Sequence, residues 1–551
     1  MGISVKQEQP GYRSGDIDIN VCDVYNHRGE IYKIIDQVIE FTVNEDLYRN
    51  YIEAKFVIID GVNLIERTPL IGEEHIHLRF ASSGDKGEAK DLVYNDYYLR
   101  IHKITDRRHI KSNLEGYIIH AISPEIITDQ YHIVREPYNN QSVSKAVATA
   151  YHKHVAHHNE FRKDLFVFGT DTTVANIPNN LSPFSFIKYL TSRAHSTIMS
   201  DDSSRNVTVC DYLFFENSQG YWCWPLSGLK TGHGGYGDTL HIGIANIQGA
   251  SEYDGGSENP KITPITVPRN VKDVFTSDRS EYIKGPFDKP NGINIVARDD
   301  RGAIEYLKKP ADEIDQNIAR GRLQDAVTTE NWHFQSSFSY LNNLELGYYR
   351  SQLQIVDPIF KQKNVLNYDY DLAFQDQIHT GKGQNHTTSL SHKPQGNALT
   401  GSVVHYDIQD GKYFRNSVYA ADKVYNSKSN HIYDHQMYAP GHHYLHQGRR
   451  MSSFAQQNHM ILDLTIPGNS RMTVGQLCDM YFPIDDDNQV YDNKFNIFIT
   501  NNNGSKFLIT HVVHNYSKQA RKYSTQLRVT KDSYSSVVDE AGRREGFDEV
   551  F

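Results

Sequence analysis

The sequence predicts a mainly β protein built from two related antiparallel β-barrels, a small α/β domain and polar insertions. Three observations predict this fold class. Apolar and polar residues alternate over the first 125 residues, helical spacing replaces this alternation after Pro137, and two strand motifs recur in the same order late in the chain. The two barrels are therefore expected at the two ends of the sequence.

The first barrel is predicted from short runs that are rich in β-branched and aromatic residues and are punctuated by Gly, Asn and Asp. No helical pattern separates the runs, which favours antiparallel strands that close, or nearly close, into a barrel. The alternating runs cover residues 32–43, 54–60, 75–80, 97–104 and 117–123.

The α/β domain is predicted from two helix start signals and a hairpin. Ser142 can cap a helix in which residues 143, 146, 147, 150 and 154 share one face. Ser182 followed by Pro183 marks the start of a second helix. Residues 212–216 and 220–224 then read as the two strands of a hairpin with its turn at 217–220.

An internal repeat predicts the second barrel. The strand at 51–60 (YIEAKFVIID) resembles 349–357 (YRSQLQIVD), and the hairpin within 98–123 resembles 508–513 (LITHVV) with 523–529 (YSTQLRV). The predicted domains are a first barrel at 1–135, an α/β domain at 136–227, a Gly-rich connector at 228–330 with a helix at 310–326, a second barrel from 331–375 plus 457–535, a His-rich insertion at 376–456, and a tail at 536–551.

The composition of the chain argues against some functional classes and favours others. The formal net charge is −10, which argues against a dedicated nucleic-acid-binding protein because phosphates require a basic face. Tyr is abundant, at 36 residues, and its half-polar ring suits surfaces that are buried between subunits. No apolar run approaches the ~18 residues of a membrane span, and the first 16 residues lack signal-peptide features, so synthesis in a cytoplasm without membrane insertion is expected.

The side chains that could support chemistry form no convincing catalytic, cofactor or metal site. His154 and His158 would share a helix face, but Val155 stands where a zinc peptidase needs Glu. A second group of histidines at 431–446 and an acidic run at 485–492 are better explained as surface loops, and the four cysteines as reduced core residues. We therefore predict a non-enzymatic protein with no metal or cofactor.

Several motifs, in one order along the chain, resemble the baseplate hub proteins of contractile-tailed bacteriophages. They are 60–74 (DGVNLIERTPLIGEE), 142–147 (SVSKAV), 176–187 (NIPNNLSPFSFI), 212–221 (YLFFENSQGY), 347–357 (GYYRSQLQIVD), 466–470 (IPGNS), 507–514 (FLITHVVH) and 531–534 (KDSY). Residues 228–330 and 376–456 match no part of the family pattern.

The resemblance implies a structural virion protein of the tail baseplate that assembles as a homotrimer. Three chains with two barrels each present six similar units, which would join a three-fold tail spike to a six-fold tail tube around the channel that DNA traverses. The implied partners are the spike protein, a tail tube or tube-initiator protein and baseplate wedge proteins; DNA passes without specific binding.

Surface positions of the first barrel are the expected contacts with tube subunits. The candidate interface residues are Tyr48, Tyr51, Asn95 and Tyr98. Two alternatives remain. A carbohydrate-degrading tail enzyme would use Trp222 and Trp224 to line a glycan groove beside two carboxylates. The hub portion of a type VI secretion spike would resemble the same family.

Overall fold

The computed structural model confirms that the fold is mainly β. It describes residues 17–82, 95–111, 114–158, 163–178, 180–199, 206–231, 238–243, 294–299, 327–328, 331–339, 343, 346, 348–357, 362–381, 402–408, 446–470, 472–481 and 505–534. None of the helices in these ranges is long and apolar enough to cross a membrane. The predicted helix at 310–326 lies outside them, as do the acidic run at 485–492 and the tail at 536–551.

Seven antiparallel strands, here called the first β-group, form one part of a large sheet. They are β1 Ile17–Tyr25, β2 Ile31–Lys33, β3 Val38–Asp46, β4 Glu53–Asp60, β5 His75–Ser82, β6 Asn95–Lys111 and β7 Leu114–Ile122, with the short helix α1 Leu64–Arg67 after β4. Their order in the sheet is β3-β4-β7-β6-β5-β1-β2. The five alternating runs of the sequence lie in or beside these strands, which confirms the period-two prediction.

The first β-group encloses its own aromatic core. Phe41, Phe56 and Phe80 are buried, and the Phe41 ring centroid lies 5.3 Å from that of Phe80 and 6.3 Å from that of Phe56. Tyr523, from the far end of the chain, packs into the same core. The strands therefore fold around a shared interior, as alternating patterning requires.

An α/β unit follows. Its elements are α2 Pro124–Tyr131, β8 Tyr138–Ser142, α3 Val143–His154, β9 Leu165–Val167, β10 Thr173–Asn176, α4 Pro183–Thr191, β11 Ser196–Met199, β12 Asn206–Val209, β13 Tyr212–Asn217, β14 Gly220–Pro225 and α5 Leu226–Lys230. Ile126 of α2 packs against the core of this unit. Helix α2 thus packs together with the elements that follow it.

The local signals in this unit are confirmed. The Ser142 hydroxyl accepts a hydrogen bond from the Lys145 amide, and the Ser182 hydroxyl accepts one from the Ser185 amide, as helix caps do. The hairpin β13–β14 pairs Asn217 with Gly220 across the turn. Gly220 has φ +135°, and a Cβ there would lie 2.5 Å from a backbone oxygen of residue 164, so the turn requires glycine.

The rest of the described chain contains eleven strands, two α-helices and a 3-10 helix at Phe374–Asp376. They are β15 Asp238–Gly243, β16 Asn294–Asp299, β17 Val327–Thr328, β18 Asn331–Ser336, β19 Arg350–Asp357, β20 Gln362–Asp369, α6 Tyr370–Ala373, β21 Ser402–Ile408, α7 Gln447–Gln457, β22 Met460–Pro467, β23 Leu477–Tyr481, β24 Ser505–Ser517 and β25 Lys522–Lys531. We call β18, β22, β23, β24 and β25 the second β-group; it has its own core, with Leu462, Phe507 and Val529 among its buried members.

The structure departs from the predicted repeat at one of its two motifs. The strand β4, from the motif at 51–60, lies inside the large sheet, whereas β19, from the motif at 349–357, lies in a separate sheet of order β20-β19-β21. β21 comes from the segment predicted as an insertion, and β15, from the segment predicted as a connector, pairs with β23. The proposed domain boundaries as a whole stay a prediction.

The two β-groups are joined edge to edge. β24 pairs antiparallel with β3 from His511↔Asp46 to Ser517↔Glu40. The Thr42 hydroxyl donates to Asn515 Oδ1 at 3.0 Å across the same junction. Over the described ranges the result is a continuous sheet of 15 strands, so the two groups lie side by side within one chain.

Candidate assembly surface and interior junctions

The four predicted interface residues differ in exposure. Tyr48 is 44% exposed in the turn after β3, and the ring of the half-buried Tyr51 lies 5.7 Å from the Arg49 guanidinium. Tyr98 is half-buried and stacks on the His77 ring at 4.1 Å. Asn95 is only 2% exposed, which contradicts the expectation of an exposed position there. Successive residues of a strand point to opposite faces of the sheet. Asp96 lies on the exposed face of β6, so the side chain of Asn95 lies on the buried face.

The helix face proposed for two histidines does not form. α3 ends at His154, and His158 lies in a separate 3-10 turn at Ala156–His158, so the i, i+4 spacing falls across a helix end. Of the second histidine group, His446 lies within the described ranges, where its ring centroid is 5.0 Å from that of His195. Across the described residues, no three His, Cys, Asp or Glu side chains are grouped as metal ligands.

The cysteines are core residues, as predicted. Cys22, Cys210, Cys223 and Cys478 are all free and buried. Burial raises the pKa of the Cys22, Cys210 and Cys223 thiols to about 12. Thiols with so high a pKa remain protonated and unreactive at neutral pH.

Trp222 does not line a surface groove. Its side chain is 1% exposed, stacks on Phe166 at 4.2 Å and donates from Nε1 to Asn217 Oδ1 at 3.1 Å. The alternative of a glycan-degrading enzyme required this indole to be accessible, so that part of the alternative is wrong.

Polar contacts connect the helix α7 to several parts of the molecule. The Arg450 guanidinium donates to the carbonyl oxygens of Thr191, Cys210 and Tyr212 at 3.2, 2.8 and 3.1 Å. On the same helix, Ser453 donates to Asp211 Oδ2 at 2.6 Å. These bonds hold α7 against the α/β unit, and burial lowers the pKa of Arg450.

Other hydrogen bonds of α7 connect it to the sheets. The Ser452 hydroxyl donates to the carbonyl oxygen of Tyr348, which precedes β19, at 2.5 Å. Gln457 Nε2 donates to the Thr530 hydroxyl of β25 at 2.8 Å. The helix thus links the α/β unit, the separate sheet and the second β-group. Sequence reasoning missed it because four of its five buried residues are polar. The run of Arg449 and Arg450 before paired serines and glutamines was the available signal.

A buried ion pair fixes the end of β25. Lys230 Nζ of α5 lies 2.7 Å from Asp532 Oδ2, and both side chains are at most 1% exposed. The Thr380 hydroxyl and His379 Nδ1 bond the same carboxylate at 2.6 and 3.2 Å. Burial alone would raise the pKa of Asp532, but Lys230 and His379 hold that pKa well below its usual range.

Comparison with known proteins gives loose structural similarity. No protein-family model matches the chain, and no curated protein matches it. A tail protein from Neisseria meningitidis MC58 aligns with 94% of this chain and 99% of its own, at 9% identity and a TM-score of 0.41. The 43 kDa tail protein of prophage MuSo2 from Shewanella oneidensis aligns with 94% and 98%, at 7% identity and a TM-score of 0.40.

A third similar structure is the E. coli c3393 protein, described as a type VI secretion component that resembles the T4 bacteriophage tail proteins gp27 and gp5. It aligns with 94% of this chain and 78% of its own, at 9% identity and a TM-score of 0.33. Similarity at this level does not assign the chain to a family.

Proposed function

We propose that the chain is a structural virion protein, the central hub of a contractile phage-tail baseplate. In this proposal it acts without catalysis and forms a trimeric ring between a three-fold spike and a six-fold tail tube. The ring surrounds the channel for DNA, and the spike, the tube or tube initiator and the wedge proteins are its partners.

The observation that carries the proposal is the pairing of β3 with β24. This pairing places two β-groups side by side in one chain, each with its own apolar cluster, and Tyr523 of β25 packs into the cluster of the first group. Three such chains around an axis offer six β-groups, which is the arrangement that a three-fold to six-fold adaptor needs. The ordered motifs of the sequence, from 60–74 to 531–534, support the same conclusion.

The proposed tube contact lies at the exposed turn after β3. Tyr48 and its neighbour Tyr51 offer aromatic surface there, with Arg49 between them. Aromatic and Arg side chains are enriched at protein interfaces. Tyr98 belongs to the same proposal, whereas the buried Asn95 can act only by supporting its neighbours.

A tube-nucleation experiment tests this contact. We expect Tyr48→Glu to leave the assembled hub intact and to prevent the hub from nucleating tubes from purified tube subunits, because it places a charge in the interface. Tyr131→Glu is the matched control, since Tyr131 is a tyrosine 80% exposed on α2. Tube growth at the normal rate from the Tyr48→Glu hub would contradict the proposed contact.

A further inference from the structure

Three buried carboxylates from different parts of the chain are near neighbours in the interior. Glu45 lies on β3, Glu125 on α2 and Glu216 on β13, and none is more than 1% exposed. The charge of Glu216 acts on both of the others. The first β-group and the α/β unit therefore meet at a site that is rich in carboxylates.

Lys163 balances part of this charge. Its Nζ lies 2.8 Å from Glu125 Oε2 and also bonds Glu216 Oε1. Two buried carboxyl groups thus share one ammonium group. The Tyr221 hydroxyl donates to Glu125 Oε2 at 3.5 Å, and Glu125 Oε1 has no hydrogen-bond partner in the part of the chain described. A further negative charge close by is therefore unfavourable.

Glu45 bonds groups from two sides of the junction. The Tyr97 hydroxyl of β6 donates to Glu45 Oε1 at 2.8 Å. The Thr473 hydroxyl and the Val474 amide donate to Oε2 at 2.5 and 3.3 Å. The carboxyl thus connects the first β-group to residues 472–476, the loop that leads into β23. Asn217 Nδ2 donates to the Val474 carbonyl at 3.4 Å and ties the same loop to the α/β unit.

Glu45 forms no ion pair with a Lys, Arg or His side chain among the described residues. Tyr97 bonds it directly, the charge of Glu216 on β13 acts on it, and Tyr523 of β25 interacts electrostatically with Tyr97. Burial raises the pKa of Glu45 to about 7, although the hydrogen bonds from Thr473, Tyr97 and Val474 oppose that rise. The Glu45 carboxyl therefore gains or loses its proton near neutral pH.

We propose that Glu45 is a proton-controlled lock between the first β-group and the loop 472–476. With a proton, the carboxyl is neutral beside Glu216, and one of its hydrogen bonds reverses so that it donates to a hydroxyl. Loss of the proton to solvent leaves Glu45 with a negative charge beside Glu216 and without an ion-pair partner among the described residues, which loosens the contact. The lock belongs to the single chain and does not depend on the proposed hub assembly.

The direction of the pH effect follows from linkage. The folded chain binds the Glu45 proton more tightly than the unfolded chain, whose ordinary value is 4.5. Folded-state stability at this junction therefore falls as the pH rises from 4.5 through 7 and levels off above that value.

Hydrogen exchange of the full chain, measured by mass spectrometry and corrected for intrinsic rates, tests the lock. We expect protection of residues 472–476 to fall on the order of a hundredfold from pH 5 to pH 8.5 in the wild type. Glu45→Gln should abolish this fall because the amide stays neutral. Glu40→Gln, an exposed change on the same strand, should retain it. An unchanged fall in Glu45→Gln would overturn the proposal.

A second variant keeps the test decisive if Glu45→Gln does not fold. Tyr97→Phe removes a donor that favours the ionised carboxyl, so the midpoint of the pH transition should move upward by about one unit. A midpoint that stays in place or moves downward would also overturn the proposal.

Discussion

At the scale of single residues, buried ionisable groups fall into two kinds. Asp532 is surrounded by donors and stays ionised, whereas His459 and His514 are buried among aromatic rings. Burial lowers the pKa of each histidine to about 4, although a backbone hydrogen bond at His514 opposes the decrease. Both kinds make contacts of residues 505–534, since His459 packs on Tyr534 and His514 bonds the Tyr523 hydroxyl, so both affect stability.

Removal of the Asp532 charge should be strongly destabilising. Asp532→Asn leaves Lys230 buried without its counter-charge, and we expect a loss of about 3–5 kcal/mol in the free energy of unfolding. Urea denaturation measures this loss. Glu136→Gln is the control, because it removes an exposed ion pair with Lys153 and should change stability by less than about 1 kcal/mol. Similar losses of unfolding free energy in Asp532→Asn and Glu136→Gln would contradict the claim that burial makes the Lys230–Asp532 pair important for stability.

Acid should destabilise the chain through the two histidines. Between pH 6.5 and 4 the unfolded chain binds protons that the folded histidines exclude, so stability is lost as the pH falls through this range. Each histidine contributes up to about 3 kcal/mol to the loss. Urea midpoints at pH 7.5 and pH 4.5 measure it. His514→Phe should reduce the difference between the two midpoints, and an undiminished difference would show that His514 is not responsible.

At the scale of elements, α7 stabilises the junction of three parts with a polar face. Arg450 reaches three carbonyl oxygens because its guanidinium carries several donors in a fixed plane. A lysine keeps the charge but cannot reproduce this geometry. The helix should therefore depend on arginine at this position.

We predict that Arg450→Lys loosens the contact between α7 and the α/β unit without unfolding the sheets. Limited proteolysis should cleave near α7 several-fold faster than in the wild type, while the circular-dichroism signal of the strands is unchanged. Lys153→Arg, on the exposed side of α3, is the control. Cleavage at the wild-type rate in Arg450→Lys would contradict this role for the helix.

Local sequence signals predicted where helices and strands lie better than they predicted which of these elements pack together. Ser142 and Ser182 marked two helix starts because a cap depends on a few adjacent residues. α7 was missed because Ser452 and Gln456 are buried through hydrogen bonds, without an apolar stripe. Likewise, alternation placed Tyr98 in a strand at 97–104, but the start of that strand at Asn95 and the identity of its buried face depended on packing that one sequence does not reveal.

At the scale of the whole molecule, the junction of the two β-groups defines the architecture. Thr42 and Asn515 bond each other although they are 473 positions apart in the chain. No local pattern reports such a pairing, so the sequence motifs led to two barrels but not to their edge-to-edge union. The union gives the chain the two adjacent units that the proposed ring requires.

The oligomeric state in solution tests the central claim most directly. Native mass spectrometry of the purified full chain should show a species of three times the 63.2 kDa protomer mass. That result is expected because three pairs of β-groups complete a six-unit ring. A stable monomer or a stable hexamer at the same protein concentration would contradict the hub proposal.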